Sequence, residues 1–262
     1  MTRNFPPLVA ITIAAGSAYA MVNHGEAVLL VQDFENQFLA PSLDNPFGTD
    51  RFGRDVFVYA LAGLGSSIRF AMMAIVFAAV VGITWGAAWR LQDSRPLGAM
   101  LGEVNAAFLS VPPLIVVLAI LLVTGGERAW VSLLVGLLFA PYLARIIHRD
   151  LTDITNADYF IIERLFGLSF YNSFLRIALP RSVRVALPTL IVLTSDIVAL
   201  DAALSFLGLS LQPPAAGIGQ LLRQGITDVN QGWWICAGAA LLLAVFVVDL
   251  NRYAFRLTAS LR

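Results

Sequence analysis

The sequence contains no lysine: all seventeen basic side chains are arginine. That absence excludes the phosphate-binding lysine of a P-loop and the amine of a Schiff-base enzyme. No G-x-x-x-x-G-K-[ST] run occurs either, so any ATP-derived energy must come from another polypeptide. A single cysteine, Cys236, rules out an internal disulfide. Two histidines, His24 and His148, are too few for a Cys/His metal cluster. Neither G-x-S-x-G nor H-E-x-x-H is found, which removes the commonest nucleophile and zinc-hydrolase arrangements. Charge is scarce as well, at 13% of residues with a formal net charge of zero. Nothing in that balance points to nucleic acid.

What is abundant is apolar sequence. The hydrophobic fraction is 58% and the mean hydropathy is +0.78, far from a soluble globular domain. A membrane helix needs about 20 mostly apolar residues. Six runs meet or approach that length: Leu8–Val22, Phe70–Trp89, Val104–Val123, Ala129–Ala144, Val185–Leu211 and Trp233–Val248. The expected class is therefore all-α, a polytopic membrane protein of six transmembrane helices. The first run, with its charged start and Ala-x-Ala end, also reads as a signal peptide cleaved after Ala20.

Arginine placement orients the chain. With the N-terminus inside, twelve arginines fall in inner segments and five, Arg51, Arg54, Arg69, Arg128 and Arg223, in outer ones. Both termini are then cytoplasmic, and so is the stretch DYFIIERLFGLSFYNSFLRIALPRS, Asp158 to Ser182.

That stretch has two readings. It is either a solvated, arginine-rich connector or a built element. In favour of the second, Ile161, Ile162, Leu165 and Phe166 fall near one helical face, with Asp158, Glu163 and Arg164 at polar positions. Gly167 suits a helix end, and Ser169 is placed to cap a second short helix from Phe170 to Ala178, ending before Pro180. Two short angled helices tethered to spans on either side make a stiff knob, fitted to a groove on a cytoplasmic partner.

Outside, NPFGTDRFGRDVF, Asn45 to Phe57, combines turn-forming Gly48 and Gly53 with the charges Asp50, Arg51, Arg54 and Asp55. It reads either as a self-satisfied, salt-bridged turn that seats the next span or as a docking or gating surface. Inside the fifth apolar run lie Asp196 and Asp201. A carboxylate at the bilayer centre costs about 2.5–3.5 kcal/mol on insertion scales, so neither is expected to face lipid. They line a water-filled path for a cationic or zwitterionic solute, or they bond to neighbouring helices and a partner chain. Further on, Ile218, Leu221, Leu222 and Ile226 form one apolar stripe, expected as a short helix on the outer membrane surface. Trp233 and Trp234 mark the next interface.

Three stretches together resemble one family. The thirteen-residue interval from Gly167 to Pro180, with Leu179 before the proline, resembles the EAA loop of bacterial ABC-importer permeases. NPFGTDRFGRDVF is similar to the H-P-x-G-T-D-x-x-G-R-D-V signature of the dipeptide, oligopeptide and nickel permeases. LDAALSFLGLSLQPP, Leu200 to Pro214, is similar to that family's L-E-A-A-L-S-F-L-G-L-x-x-Q-P-P run. The layout resembles the second permease subunit of such systems.

The resemblance implies the type I permease fold of ABC importers and a bacterial inner-membrane location. It implies a first helix and external segment at 1–66, a five-span core at 67–250 with an EAA-type loop at about 145–184, and a cytoplasmic tail at 251–262. The implied partners are a sister permease forming a heterodimer, one or two ABC ATPase subunits, an external solute-binding protein and membrane lipid, with no nucleic acid. ATP and Mg would sit on the ATPase, leaving no cofactor or metal in this chain and no enzymatic activity of its own. The residues matched to ATPase coupling are Ile161, Ile162, Glu163, Leu165, Phe166, Gly167, Leu179 and Pro180. Gly48, Thr49, Asp50, Gly53, Arg54 and Asp55 match the external gate or docking signature. Asp196 and Asp201 belong to the path or a subunit interface, and Asp201 stands where the family has glutamate. The implied cargo is a peptide, nickel or a related small solute.

Three departures accompany the match. The register that carries Glu-Ala-Ala in the family reads Ile161, Ile162, Glu163 here, so the acid has moved by two positions, about 200° around a helix. An aspartate of the third span is replaced by Asn105. The end, DLNRYAFRLTASLR, lacks the G-D-x-L-R-D tail. A reading from another class is a proton-coupled secondary transporter with Asp196 and Asp201 as its relay, although no internal repeat accompanies it.

Overall fold

A computed structural model describes residues 32–124, 127–165, 169–209 and 217–261, together with Gly16. The run Leu8–Val22 and its signal-peptide alternative otherwise lie outside the described residues. What is described is helical: α1 (Val56–Leu91), α2 (Pro96–Ser110), α3 (Pro113–Thr124), α4 (Arg128–Thr155), α5 (Asp158–Leu165), α6 (Phe170–Phe206), α7 (Ile218–Thr227) and α8 (Val229–Leu261). A single 3-10 turn, Phe34–Asn36, precedes them.

Among the described residues, four helices, α1, α4, α6 and α8, are long and apolar enough to cross a membrane. The run Val104–Val123, expected as one straight span, is instead broken: α2 and α3 meet at a bend of 78°. The cause is the pair Pro112-Pro113. Each proline lacks an N–H, and each drives the residue before it out of the helical region. Val111 is accordingly extended, at φ −103° and ψ 126°. Counted as one span, the bent pair makes a fifth.

The spans are longer than the apolar runs. α1 has 36 residues, about 54 Å at 1.5 Å per residue, against a hydrocarbon core of about 30 Å. It starts at Asp55, whose carboxylate accepts from the backbone N–H of Phe57 (2.7 Å) and Val58 (3.1 Å). α6 closes on a Schellman turn. Gly208 has φ +80°, the Gly208 N–H donates to the Ser205 carbonyl, and the Leu209 N–H reaches the Leu204 carbonyl, both at 3.0 Å. α8 breaks at Gly232 and then continues through the 251–262 tail to Leu261.

Glycine sets the tightest packing. A Cβ on Gly82 would lie 2.8 Å from the Ala140 carbonyl oxygen, one on Gly86 2.6 Å from that of Ala144, and one on Gly136 2.5 Å from that of Ala74. The pairs ascend together, so α1 and α4 run parallel in backbone contact, and α2–α3, between them in the chain, makes the return pass. Leu143, Ile147 and Leu151 of α4 are fully buried beneath this seam. In the membrane, where lipid tails match apolar side chains, such close approach is a main source of helix association.

α7 departs from the expected surface helix. Ile218 and Leu221 are fully buried in the chain, and Gly219 and Gly225 press on backbone of α6 and α8 respectively. Gly63 of α1 lies under its first residue. The first half of the apolar stripe therefore faces protein, making α7 a wedge among α1, α6 and α8, while Leu222 is half-buried and Ile226 is exposed.

Candidate functional site

The sequence-derived residues collect at three levels: the end of the bundle where α1 begins, the interior of α6, and the opposite end between α4 and α6.

At the first, the charged stretch folds onto itself. Asp50 is fully buried, and its carboxylate accepts from the backbone N–H of Phe52 (2.8 Å) and Arg54 (3.0 Å) and from Arg54 Nε (2.8 Å). The Arg54 guanidinium lies over the rings of Phe52 and Tyr59 at 4.6 and 4.5 Å. It also reaches Gln224 of α7 at 3.4 Å. Thr49 and Asp55 pair as an isolated antiparallel bridge, and Asp55 caps α1. Gly48 (φ +65°) and Gly53 (φ +73°) take conformations that favour glycine, and a Cβ on either would strike the backbone of Leu39 or Asp33. Trp234 Nε1 donates to the Thr49 carbonyl at 3.2 Å, tying the turn to α8. Thus Gly48, Thr49, Asp50, Gly53, Arg54 and Asp55 form one interlocked turn seated on α1, α7 and α8.

Within α6 the two acids part company. Asp201 is 1% exposed and accepts from Arg128 Nη2 at 3.1 Å. Arg128, at the first turn of α4, also donates to the Ser66 carbonyl of α1 at 2.9 Å and lies over the Phe70 ring. Phe70, Leu121, Val131, Leu204 and Leu209 wall the small cavity around the pair. Asp196 is on the exposed face of the same helix, more than one turn nearer its start. The Arg128–Asp201 contact was not legible in sequence, because the partners lie 73 positions apart. The only local signal was an arginine opening an apolar run.

At the far end, α5 and the start of α6 form two short helical pieces. Phe160 is fully buried, edge-on to Phe170 at 5.9 Å, and Phe170 stacks on Phe174. Ser169 caps the second piece, its hydroxyl accepting from the Asn172 N–H at 3.3 Å. Ile161 and Ile162 are about half exposed, and on the second piece Tyr171 (65%) and Leu175 (58%), two residues without a distinguishing sequence signal, are exposed as well. Phe166 and Gly167 lie outside the described residues, as do the side chains of Glu163 and Leu165.

The second piece does not end before Pro180. Phe170–Ser173 passes through a π-helical turn, Phe174–Ala178, into the α-helix Leu179–Phe206, with Leu179 half-buried and Pro180 exposed. A proline lacks an N–H and crowds the carbonyl four residues back. The widened π turn immediately before it absorbs both defects without breaking the helix.

Asn105 is buried and donates its amide to the Pro141 carbonyl in α4 at 3.0 Å. An ionised aspartate there would have no proton to give. Beside the knob, His148 stacks on Trp89 with centroids 3.9 Å apart and bonds Asp93 at 2.8 Å, while Arg90 donates to Thr155. Among the described residues, no group of three or more His, Cys, Asp or Glu could hold a metal ion.

The family model described as "Binding-protein-dependent transport system inner membrane component" matches residues 78–256. A protein of Brucella suis biovar 1 named as a peptide transport system permease is 29% identical over 217 residues, covering 82% of this chain and 72% of its own. Another from the same organism, named as a peptide permease, is 28% identical over 214 residues, covering 80% and 70%. The dipeptide transport system permease protein DppC of Bacillus subtilis is 25% identical over 225 residues, covering 86% and 68%. Among solved structures, a chain of the MetNI methionine ABC transporter in an inward-facing conformation superposes with a TM-score of 0.60 at 18% identity, over 76% of this chain and 94% of that one. The fold is that of the type I ABC-importer permeases, a multi-pass arrangement. With most of its helical core matched, the chain belongs to the family of binding-protein-dependent transport system inner membrane components.

Proposed function

We propose that this chain is the permease subunit of an ATP-driven peptide importer, forming the passage with a sister permease in a heterodimer. One or two ABC ATPase subunits, which bind ATP and Mg, drive it from the cytoplasm, and an external binding protein delivers cargo. The termini are cytoplasmic, in line with the arginine bias. The observation that carries this reading is the knob between α4 and α6: an aromatic lock of Phe160, Phe170 and Phe174 holds two short helices that present Ile161, Ile162, Tyr171 and Leu175. That is the form of a lever seated in another protein's groove, and coupling needs only a stiff contact to a two-state element. Ile161, Ile162, Glu163, Leu165, Phe166, Gly167, Leu179 and Pro180 make up the lever and its root. The interlocked turn from Gly48 to Asp55 is the external gate or docking platform. Peptide cargo is supported by the names of the Brucella and Bacillus relatives. A relay of two free acids is disfavoured, since Asp201 is engaged by Arg128.

The test is co-purification of this chain with a P-loop ATPase, followed by uptake in proteoliposomes. Gly167→Val is expected to abolish ATP-driven peptide uptake while leaving the chain in the membrane. The isolated chain is expected to show no ATP hydrolysis. Normal uptake by Gly167→Val, or an assembled transporter lacking an ATPase contact at the knob, overturns the lever. Uptake of nickel in place of peptide overturns the cargo.

A further inference from the structure

Resting on the permease reading, we infer that Asp196 is a midplane contact for the positively charged group of the cargo. Asp196 lies ten residues before the end of α6 at Phe206, about 15 Å at 1.5 Å per residue, half the hydrocarbon thickness. It is the centre of a stripe. Val185, Thr189, Val192, Ala199 and Ala203 fall within about 60° of it at 100° per residue, and all are exposed or half-exposed. That stripe runs the membrane's depth without an aromatic side chain. The exposed faces of α1 (Met72, Met73, Val76, Val80) and α8 (Leu241, Val245, Val248) are of another kind, apolar but for Thr84 and without a charge at these positions.

A carboxylate at this depth avoids lipid, so its stripe faces water or protein. Two features favour a water-filled passage. First, the other intramembrane acid of α6, Asp201, takes its cation from Arg128 of this chain and is shut away from the stripe. Second, Ala199 and Ala203, one and two turns on, leave width on one side of Asp196, while the half-exposed Leu200 borders the other. A single carboxylate beside open space attracts a mobile cation. Every peptide with a free N-terminus carries such a group, whatever its side chains, so the contact suits a cargo class more than one sequence.

The experiment uses the assembled transporter in proteoliposomes, with Cys236→Ser removing the native thiol and Ala199→Cys placing a reporter one turn from Asp196. Thiol reagents carrying trimethylammonium are expected to react faster than those carrying sulfonate by roughly tenfold, the scale of one charge-assisted contact. Asp196→Asn is expected to erase that preference. It should also cut uptake of Ala-Ala by a similar factor while binding-protein-stimulated ATP hydrolysis continues, and Asp196→Glu should retain uptake. No labelling at Ala199→Cys, labelling without charge preference, or a preference unchanged by Asp196→Asn overturns the inference. So does rescue of Asp196→Asn by neutralising an arginine or lysine of the sister permease, which would mean a subunit ion pair. Failure of the wild-type transporter to take up peptide sinks the cargo reading instead, with labelling still deciding the fate of Asp196.

Discussion

At the scale of single residues, partners decide what a charge means. Asp50 and Asp201 are both buried carboxylates, and each has an arginine: Arg54 four positions away and Arg128 across the bundle. A buried acid stripped of its cation is costly, whereas the intact pair is close to neutral against an apolar replacement. Arg128→Ala is therefore expected to lower the stability of the detergent-solubilised protein by about 2–3 kcal/mol, below the full buried-pair penalty because the guanidinium is partly exposed. Arg128→Met combined with Asp201→Leu should recover most of that loss. Thermal unfolding of the single and double variants measures it, and an unrecovered double variant would assign the stability to other contacts. Asn105 shows the same logic for neutral groups: its role is to donate to a carbonyl beside Pro141.

At the scale of elements, proline placement shapes the spans. Pro112-Pro113 divides a run that looks continuous by hydropathy, whereas Pro141, Pro180 and Pro188 sit in helices that carry on. The difference is local accommodation. Before Pro180 the backbone widens into the π turn Phe174–Ala178, which aims the knob relative to its span. Pro180→Ala allows that turn to return to α-helical register, a change of about 100° for the residues before it. The expected result is assembly at normal levels with peptide uptake reduced severalfold per ATP hydrolysed. Uptake and hydrolysis measured on one preparation give that ratio, and an unchanged ratio would mean the π turn has no part in coupling.

At the scale of the whole molecule, the seam between α1 and α4 is the keel. Gly82, Gly86 and Gly136 bring two parallel backbones together, so a side chain there must push the helices apart. Gly86→Leu is expected to cost more than the ~1–3 kcal/mol typical of overpacking, because the obstacle is the Ala144 carbonyl and not a flexible side chain. Loss of the monodisperse peak on size exclusion in detergent would record it; a normal peak with unchanged thermal stability would mean the seam can open. The turn at one end and the knob at the other both hang on this keel, through Asp55 at the start of α1 and Thr155 near the end of α4.

Hydropathy alone determined that the chain is a helical membrane protein, since runs of apolar residues have few other stable states in lipid. Local spacing also determined the knob's two pieces and its Ser169 cap, because capping and helix breaking act within a few residues. The paired prolines are equally local, but the apolar length of Val104–Val123 carries no information on the bend that Pro112-Pro113 impose on the backbone. Only the tertiary structure decided that α7 is a wedge, that Asp201 belongs to Arg128, and that Asp196 stands on an open face. Those depend on contacts between residues dozens to well over a hundred positions apart, such as Trp234 with Thr49 or Gly63 with Ile218. A one-dimensional pattern fixes which side of a helix is apolar; which neighbour covers that side is set by how the helices pack.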